Sequence, residues 1–259
     1  MYCTHAEADT ALYTIYYNLR TVNKYKEQCV IDTEDIDNYV QAGFVANKIP
    51  GQLLIKRKKV YVDSQELYAQ SMVDVMISLH AMSGSDHTSR FYGKGKKVIA
   101  DRVSESADAR RQLGSLGQNL IVSEDTVQDM VQFVIKYVYN DDKSKTPAEA
   151  RVLKWKAQKK KNLQRIPPDI ESLKLHITHA NYISYIQRNF HLKTHASPLN
   201  HGWHLVNDLC VPLKADSPPL PQVVQCIYES GESDCETDTE DESTDGDCSE
   251  YWSDSESDT

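Results

Sequence analysis

The chain has 259 residues, with 29 basic and 38 acidic side chains and a formal net charge of −9. No apolar run is long enough to cross a bilayer and no signal peptide is expected. The six cysteines (Cys3, Cys29, Cys210, Cys226, Cys235, Cys248) show no CxxC spacing, which argues against zinc and for free thiols in a reducing intracellular compartment. The charge is unevenly spread, since residues 229–259 hold 14 acids and no Lys or Arg. Without those 14 acids, residues 1–228 carry 29 basic against 24 acidic side chains, a net of +5. The tail has too little apolar surface to order itself and is expected to be disordered. A mildly basic body suits a nucleic-acid binder whose tail competes for its basic surface or recruits a basic partner. A purely solubilising tail is the equal alternative.

In chain order, residues 7–18 predict a helix, because Ala11, Leu12, Ile15 and Tyr16 recur at three-to-four spacing. A short strand is expected over residues 28–32, then a small hairpin, 53–55 with 60–62, around Lys56 to Lys59. Ser64 is expected to cap a helix over residues 65–81. Residues 93–101 predict the second half of a hairpin leading into a helix with Val98 and Ile99 as its apolar stripe. Residues 127–139 form a strongly apolar amphipathic pattern suited to the core. Thr146-Pro147 marks a helix start, with Thr at the cap and Pro at the first position. That helix is expected to reach about residue 162 and to carry Lys154, Lys156, Lys159, Lys160 and Lys161. Ile166-Pro167-Pro168 ends it, and Asp169 can cap a helix over residues 170–187.

Three short acidic clusters are the candidate chemistry: Glu7 with Asp9, Asp35 with Asp37, and Asp86 after Gly84-Ser85. Carboxylates drawn from separate segments are what a two-magnesium phosphodiesterase site needs, because hard cations prefer oxygen ligands. Asp35 and Asp37 share a face if their backbone stays extended. The structural alternatives are plain: first-turn acids for Glu7 and Asp9, a helix cap for Thr33-Glu34-Asp35, an Asx-turn for Asp86. Close behind follows Gly93-Lys94-Gly95-Lys96-Lys97. Glycines let a backbone approach phosphates, and two or three lysines give salt-sensitive binding without base readout. His176 and His179 lack an intervening acid and read as core or surface histidines. Trp203 reads as a packing residue. In the tail, Ser233, Thr237, Thr239, Ser253 and Ser255 each precede an acid by three residues, an acidophilic phosphorylation pattern.

The order EAD, TEDxD, GSD, GxGKK resembles the catalytic half of PIN-like nucleases of the flap-endonuclease kind. There the last motif belongs to a helix-hairpin-helix. The chain is still more similar to a group of uncharacterised, transposon-associated invertebrate proteins with EADT, DTD and TGCDTTS–GKGKK motifs. The matching stretches are Thr4-His5-Ala6-Glu7-Ala8-Asp9-Thr10, Thr33 to Asp37, Leu79-His80-Ala81-Met82-Ser83-Gly84-Ser85-Asp86-His87-Thr88-Ser89, Phe91 to Lys97, Ile166-Pro167-Pro168 with Leu173 and His176, and Gly202-Trp203. They cover roughly residues 4–213. Ala11 replaces the group's Arg, Ser85 its Cys, and Asn38-Tyr39 interrupt its apolar strand. The resemblance also implies a first strand ending in an aspartate ahead of the first motif in this chain, so a truncated copy is expected.

The expected fold is therefore α/β. It comprises an incomplete PIN-like (Rossmann-like) parallel-sheet domain over residues 1–103, a mainly helical extension over 104–215, and a disordered Pro-containing linker and acidic tail over 216–259. The resemblance implies a structure-specific nuclease of DNA or RNA, in which Glu7, Asp9, Asp35, Asp37 and Asp86 hold two Mg2+ or Mn2+ ions. Lys94, Gly95, Lys96 and Lys97 would hold the phosphate backbone. The alternative is a non-catalytic nucleic-acid-binding or adaptor remnant of a mobile element. Either implies an intracellular, nuclear protein with nucleic acid as partner and no membrane association.

Overall fold

The computed structural model describes residues 8–157 and 163–216. The expected tail, Glu7, the side chain of Asp9 and Lys159 to Lys161 lie outside the described residues. Helix α1 (Ala8–Thr21) forms where the periodicity places it, but the buried face is shifted, and of the expected stripe only Tyr16 is buried. Tyr13 and Tyr16 point inward with Thr10 and Thr14, while Leu12 and Ile15 face out. The inward hydroxyls find carbonyls: Tyr13 donates to Asn38 O, and Thr14 to Phe190 O with Thr10 O also within reach. Burial of polar groups is tolerated when they are paired in this way.

Strand β1 (Cys29–Asp32) pairs in parallel with β2 (Leu53–Arg57), Cys29 opposite Leu53. Helix α2 (Ile36–Ala46) makes the crossover between them. Strand β3 (Val60–Asp63) runs antiparallel to β2 through a turn in which Lys58 has φ +53°. The sheet is therefore small and mixed, in the order β1-β2-β3. The fold is α/β, with the parallel pair that the sequence suggested and an antiparallel hairpin beside it.

The helix expected over residues 65–81 is much shorter. Helix α3 spans only Met76–Ser83, and turns occupy the stretch before it. Asp63, not Ser64, organises this stretch, its side chain accepting from Gln65 N in an Asx-turn. Tyr68 then inserts against Gly43 of α2 and donates to Tyr39 O. These tertiary contacts override the local helical pattern.

Helices α4 (Lys96–Glu105), α5 (Ala107–Ser115) and α6 (Glu124–Phe133) follow, α5 and α6 capped by Ser106 and Ser123. A π-helical stretch, Val134–Val138, continues α6, and Arg102 of α4 donates to its Tyr137 O at 2.8 Å. Helix α7 (Pro147–Ala157) starts at Thr146-Pro147, and Thr146 Oγ1 accepts from Glu149 N. Helix α8 (Ile170–Arg188) is capped by Asp169 as expected. Strands β4 (Trp203–Val206) and β5 (Leu209–Pro212) close a hairpin on Asn207-Asp208, both at positive φ, as a tight two-residue turn requires.

A single cluster of buried apolar side chains runs from Tyr13 through α3 to Phe190, so residues after 103 pack on the same core as those before it. His176 is buried, 2.9 Å from Met82 O, and burial pushes its pKa down to about 4, so it is neutral at pH 7. The His179 and Trp203 rings meet at a tilt with centroids 4.5 Å apart, the packing role expected of Trp203. Cys29 and Cys210 are free thiols. Among the described residues, no helix is long and apolar enough to cross a membrane.

Two glycines give a test of this packing with opposite signs. Gly117 has φ +74°, and a Cβ there would lie 2.5 Å from Ser184 Cβ of α8. Gly114→Ala meets open space within α5. Gly117→Ala is expected to destabilise by about 2 kcal/mol or more, and Gly114→Ala to stabilise by about 0.5–1 kcal/mol. Guanidinium unfolding checks both, and a neutral Gly117→Ala contradicts the close approach of the turn after α5 to α8.

Candidate functional site

The acidic run between β1 and α2 divides its carboxylates among separate tasks. Asp32 pairs with Lys56 on the adjacent strand. Glu34 lies 3.5 Å from Arg57 Nε and accepts from Lys58 N. Asp35 is the N-cap of α2, accepting from Asp37 N at 3.0 Å. The strand ends at Asp32 and the helix begins at Ile36, so Asp35 and Asp37 do not share an extended face. Asn38 and Tyr39 lie inside that helix.

Asp37, in the first turn of α2, reaches His80 on α3. Its Oδ1 lies 2.9 Å from His80 Nε2, with the two side chains 17% and 6% exposed. At that separation His80 acts on the carboxylate first as a hydrogen-bonding partner and second as a charge. Lys96 Nζ, from the first turn of α4, lies 3.4 Å from His80 Nδ1. An ammonium has only donors, so Nδ1 accepts and, in the neutral ring, the proton on Nε2 faces Asp37. Burial alone would raise the pKa of Asp37, but His80, with Lys96 and His87, outweighs it and holds the carboxyl below its ordinary value.

The third acid sits on a tight turn. Gly84, at φ +114°, leads into it, and a Cβ there would meet Arg90 at 2.7 Å. The hydroxyls of Ser85 and Thr88 hold the turn, and Thr88 Oγ1 donates to Ala81 O of α3 at 2.7 Å. Asp86 is exposed at the tip. Its neighbour His87 lines a cavity with Thr10 of α1 and Gln187 of α8. The motifs therefore converge: the start of α1, the start of α2, the end of α3 and the start of α4 surround His80 and His87. Their carboxylates do not gather equally well. Among the described residues, no three His, Cys, Asp or Glu side chains lie close enough together to hold a metal ion. Asp35 is occupied as a cap and Asp37 by His80, so the described donor set does not by itself make a two-metal centre.

The lysine-rich turn takes a different form from the expected hairpin. Gly93, at φ +64°, turns the chain directly into α4, and Gly95 is its N-cap. No side chain caps this helix start, its first turn holds no acid, and the space around Gly95 is open. Lys96 and Lys97 stand in that first turn, where the helix dipole disfavours cations and favours an anion. Lys94 Nζ sits 4.7 Å from the Tyr139 ring centre. Burial lowers the pKa of Lys94, and Lys154, Arg102 and Arg165 lower it further. The charged groups that lower it are all cations. Sequence reading found the three lysines but missed Arg102 and Arg165 as members of this group. Arg102 stands in the last turn of α4 itself, and Arg165 comes from a separate helical turn, Leu163–Arg165, which no local spacing announces.

The Asp37 pairing has a pH signature. The folded carboxyl titrates below its unfolded value, so its stabilisation is present above about pH 4 and is lost as pH falls through the folded pKa. Asp37→Asn is expected to cost about 1–3 kcal/mol at pH 7, with the gap to wild type closing at lower pH. Denaturant melts across pH check this, and a gap that persists to about pH 2 contradicts the pairing. Compared with protein-family models, curated proteins and solved structures, the chain matches none of them.

Proposed function

We propose that this chain binds nucleic acid through the phosphate backbone, with the turn at Gly93-Lys94-Gly95-Lys96-Lys97 as its contact surface. The observation that carries this reading is the uncapped, acid-free start of α4, which holds Lys96 and Lys97 directly after Lys94 and to which Arg165 reaches at Gly93. Like charges so placed repel one another, and a polyanion relieves that repulsion. Backbone amides at a helix start add an anion site that reads no bases. The scaffold we infer is PIN-like. That inference is supported by the parallel β1–β2 pair, the acidic run at the carboxyl end of β1 and the Gly84-Ser85-Asp86 turn after α3. A nuclear setting accords with this partner.

A second reading, metal-dependent phosphodiester hydrolysis, draws on the convergence of the motif segments around His80 and His87. It requires Asp37 to leave His80, and carboxylates beyond those described, such as Glu7 and Asp9. Cleavage of labelled flap, single-stranded and duplex substrates with manganese separates the readings. Cutting abolished by Asp35→Asn plus Asp37→Asn supports hydrolysis, whereas no cutting with binding retained leaves binding alone.

Binding itself is tested by its salt dependence. The logarithm of the affinity is expected to fall linearly with the logarithm of salt concentration. Lys94→Gln plus Lys97→Gln should reduce that slope by about 2. Lys48→Gln, which removes a charge already matched by Asp74 at 2.8 Å, should leave the slope unchanged. Equal slopes for all three proteins would sink the assignment of this turn.

A further inference from the structure

Beside the basic turn lies a cleft of about 580 Å³. That is within the roughly 300–1,000 Å³ typical of small-molecule sites. Phe91, Tyr92, Tyr139 and His176 line it, with Arg90 and Lys214. Its aromatic wall is already ordered. Phe91 meets Tyr139 edge-on at 6.0 Å and His176 edge-on at 5.0 Å. His176, with its pKa pushed down to about 4 by burial, presents an uncharged ring at pH 7. Tyr92 is different from its neighbours, because the residue is 51% exposed and it immediately precedes Gly93.

Cleft and turn are continuous. Tyr139 belongs to the cleft and also carries Lys94 Nζ over its ring. Gln164 and Ile166 line the cleft, and Arg165 between them reaches Gly93, its Nε 3.9 Å from where a Cβ would stand. A phosphate held at the turn therefore has an aromatic recess beside it. We infer that this cleft takes an unstacked base, so that the partner is a single-stranded nucleic acid. The inference rests on the backbone-binding reading above. The bases of a duplex are stacked inward and present no face to such a recess, whereas a single strand can turn a base onto an aromatic ring. Every base has a π-face, so the contact tolerates any sequence and adds strand selectivity to a surface that reads no bases.

The experiment is fluorescence anisotropy at one fixed low salt concentration. The probes are a single-stranded oligonucleotide, an abasic strand of the same length and a duplex of the same length. The proteins are wild type, Tyr92→Ala and Tyr92→Phe. Tyr92 lies outside the buried core, so its truncation opens no cavity there. Wild type is expected to bind the intact single strand about tenfold more tightly than the abasic strand or duplex. Tyr92→Ala should remove that preference without changing abasic or duplex binding, and Tyr92→Phe should keep it. Equal binding of all three probes, unaffected by Tyr92→Ala, overturns the cleft while leaving the basic turn standing. Failure to bind any probe overturns both.

Discussion

Helix α3 is buried at every one of its residues, Met76 to Ser83, and the rest of the molecule is arranged to make that possible. A helix hidden on all sides must satisfy each polar group it carries, since an orphaned one costs about 1–3 kcal/mol. Ser78 donates to Leu116 O at the end of α5 and accepts from Arg188 of α8. The carbonyl of Ala81 takes the hydroxyl of Thr88, and that of Met82 faces the His176 ring. His80 lies between Asp37 and Lys96. Each of these contacts fixes one neighbouring element, so the demands of α3 position the starts of α2 and α4, the acidic turn and the middle of α8.

The same constraint accounts for the lysine turn. His80 draws Lys96 toward α3, which holds the first turn of α4 in place and leaves Lys97 outward. The turn therefore displays its glycines and its remaining lysines on a rigid support. Cations at a helix N-terminus and a half-buried lysine surrounded by cations are both unfavourable in isolation. Local rules broken on an otherwise consistent scaffold are expected where a ligand supplies the missing charge.

Much of this architecture was legible in the sequence. The strands flanking Lys56 to Lys59, the Thr146-Pro147 helix start and the Asp169 cap follow from local chemistry and appear where spacing put them. The misread segments are those where distant residues decide. Tyr68 packs into Gly43 and breaks the helix expected before α3. Thr14 and Tyr13 face inward because carbonyls of Phe190 and Asn38 await them, which turns Leu12 and Ile15 outward. The candidate site divides along the same line. The lysines stood adjacent in the chain and could be read directly. The role of Asp37 depended on His80, 43 positions away, and Arg165 on the fold that returns it to Gly93.

The central claim is that α4 begins at an anion-binding surface. Amide hydrogen exchange of the full chain, with and without a single-stranded oligonucleotide, tests it most directly. The account predicts slowed exchange concentrated at Tyr92 to Lys97 and around Arg165, with α3 protected equally in both states. Slowing confined to other surfaces, or no slowing under conditions where the strand is bound, would contradict it.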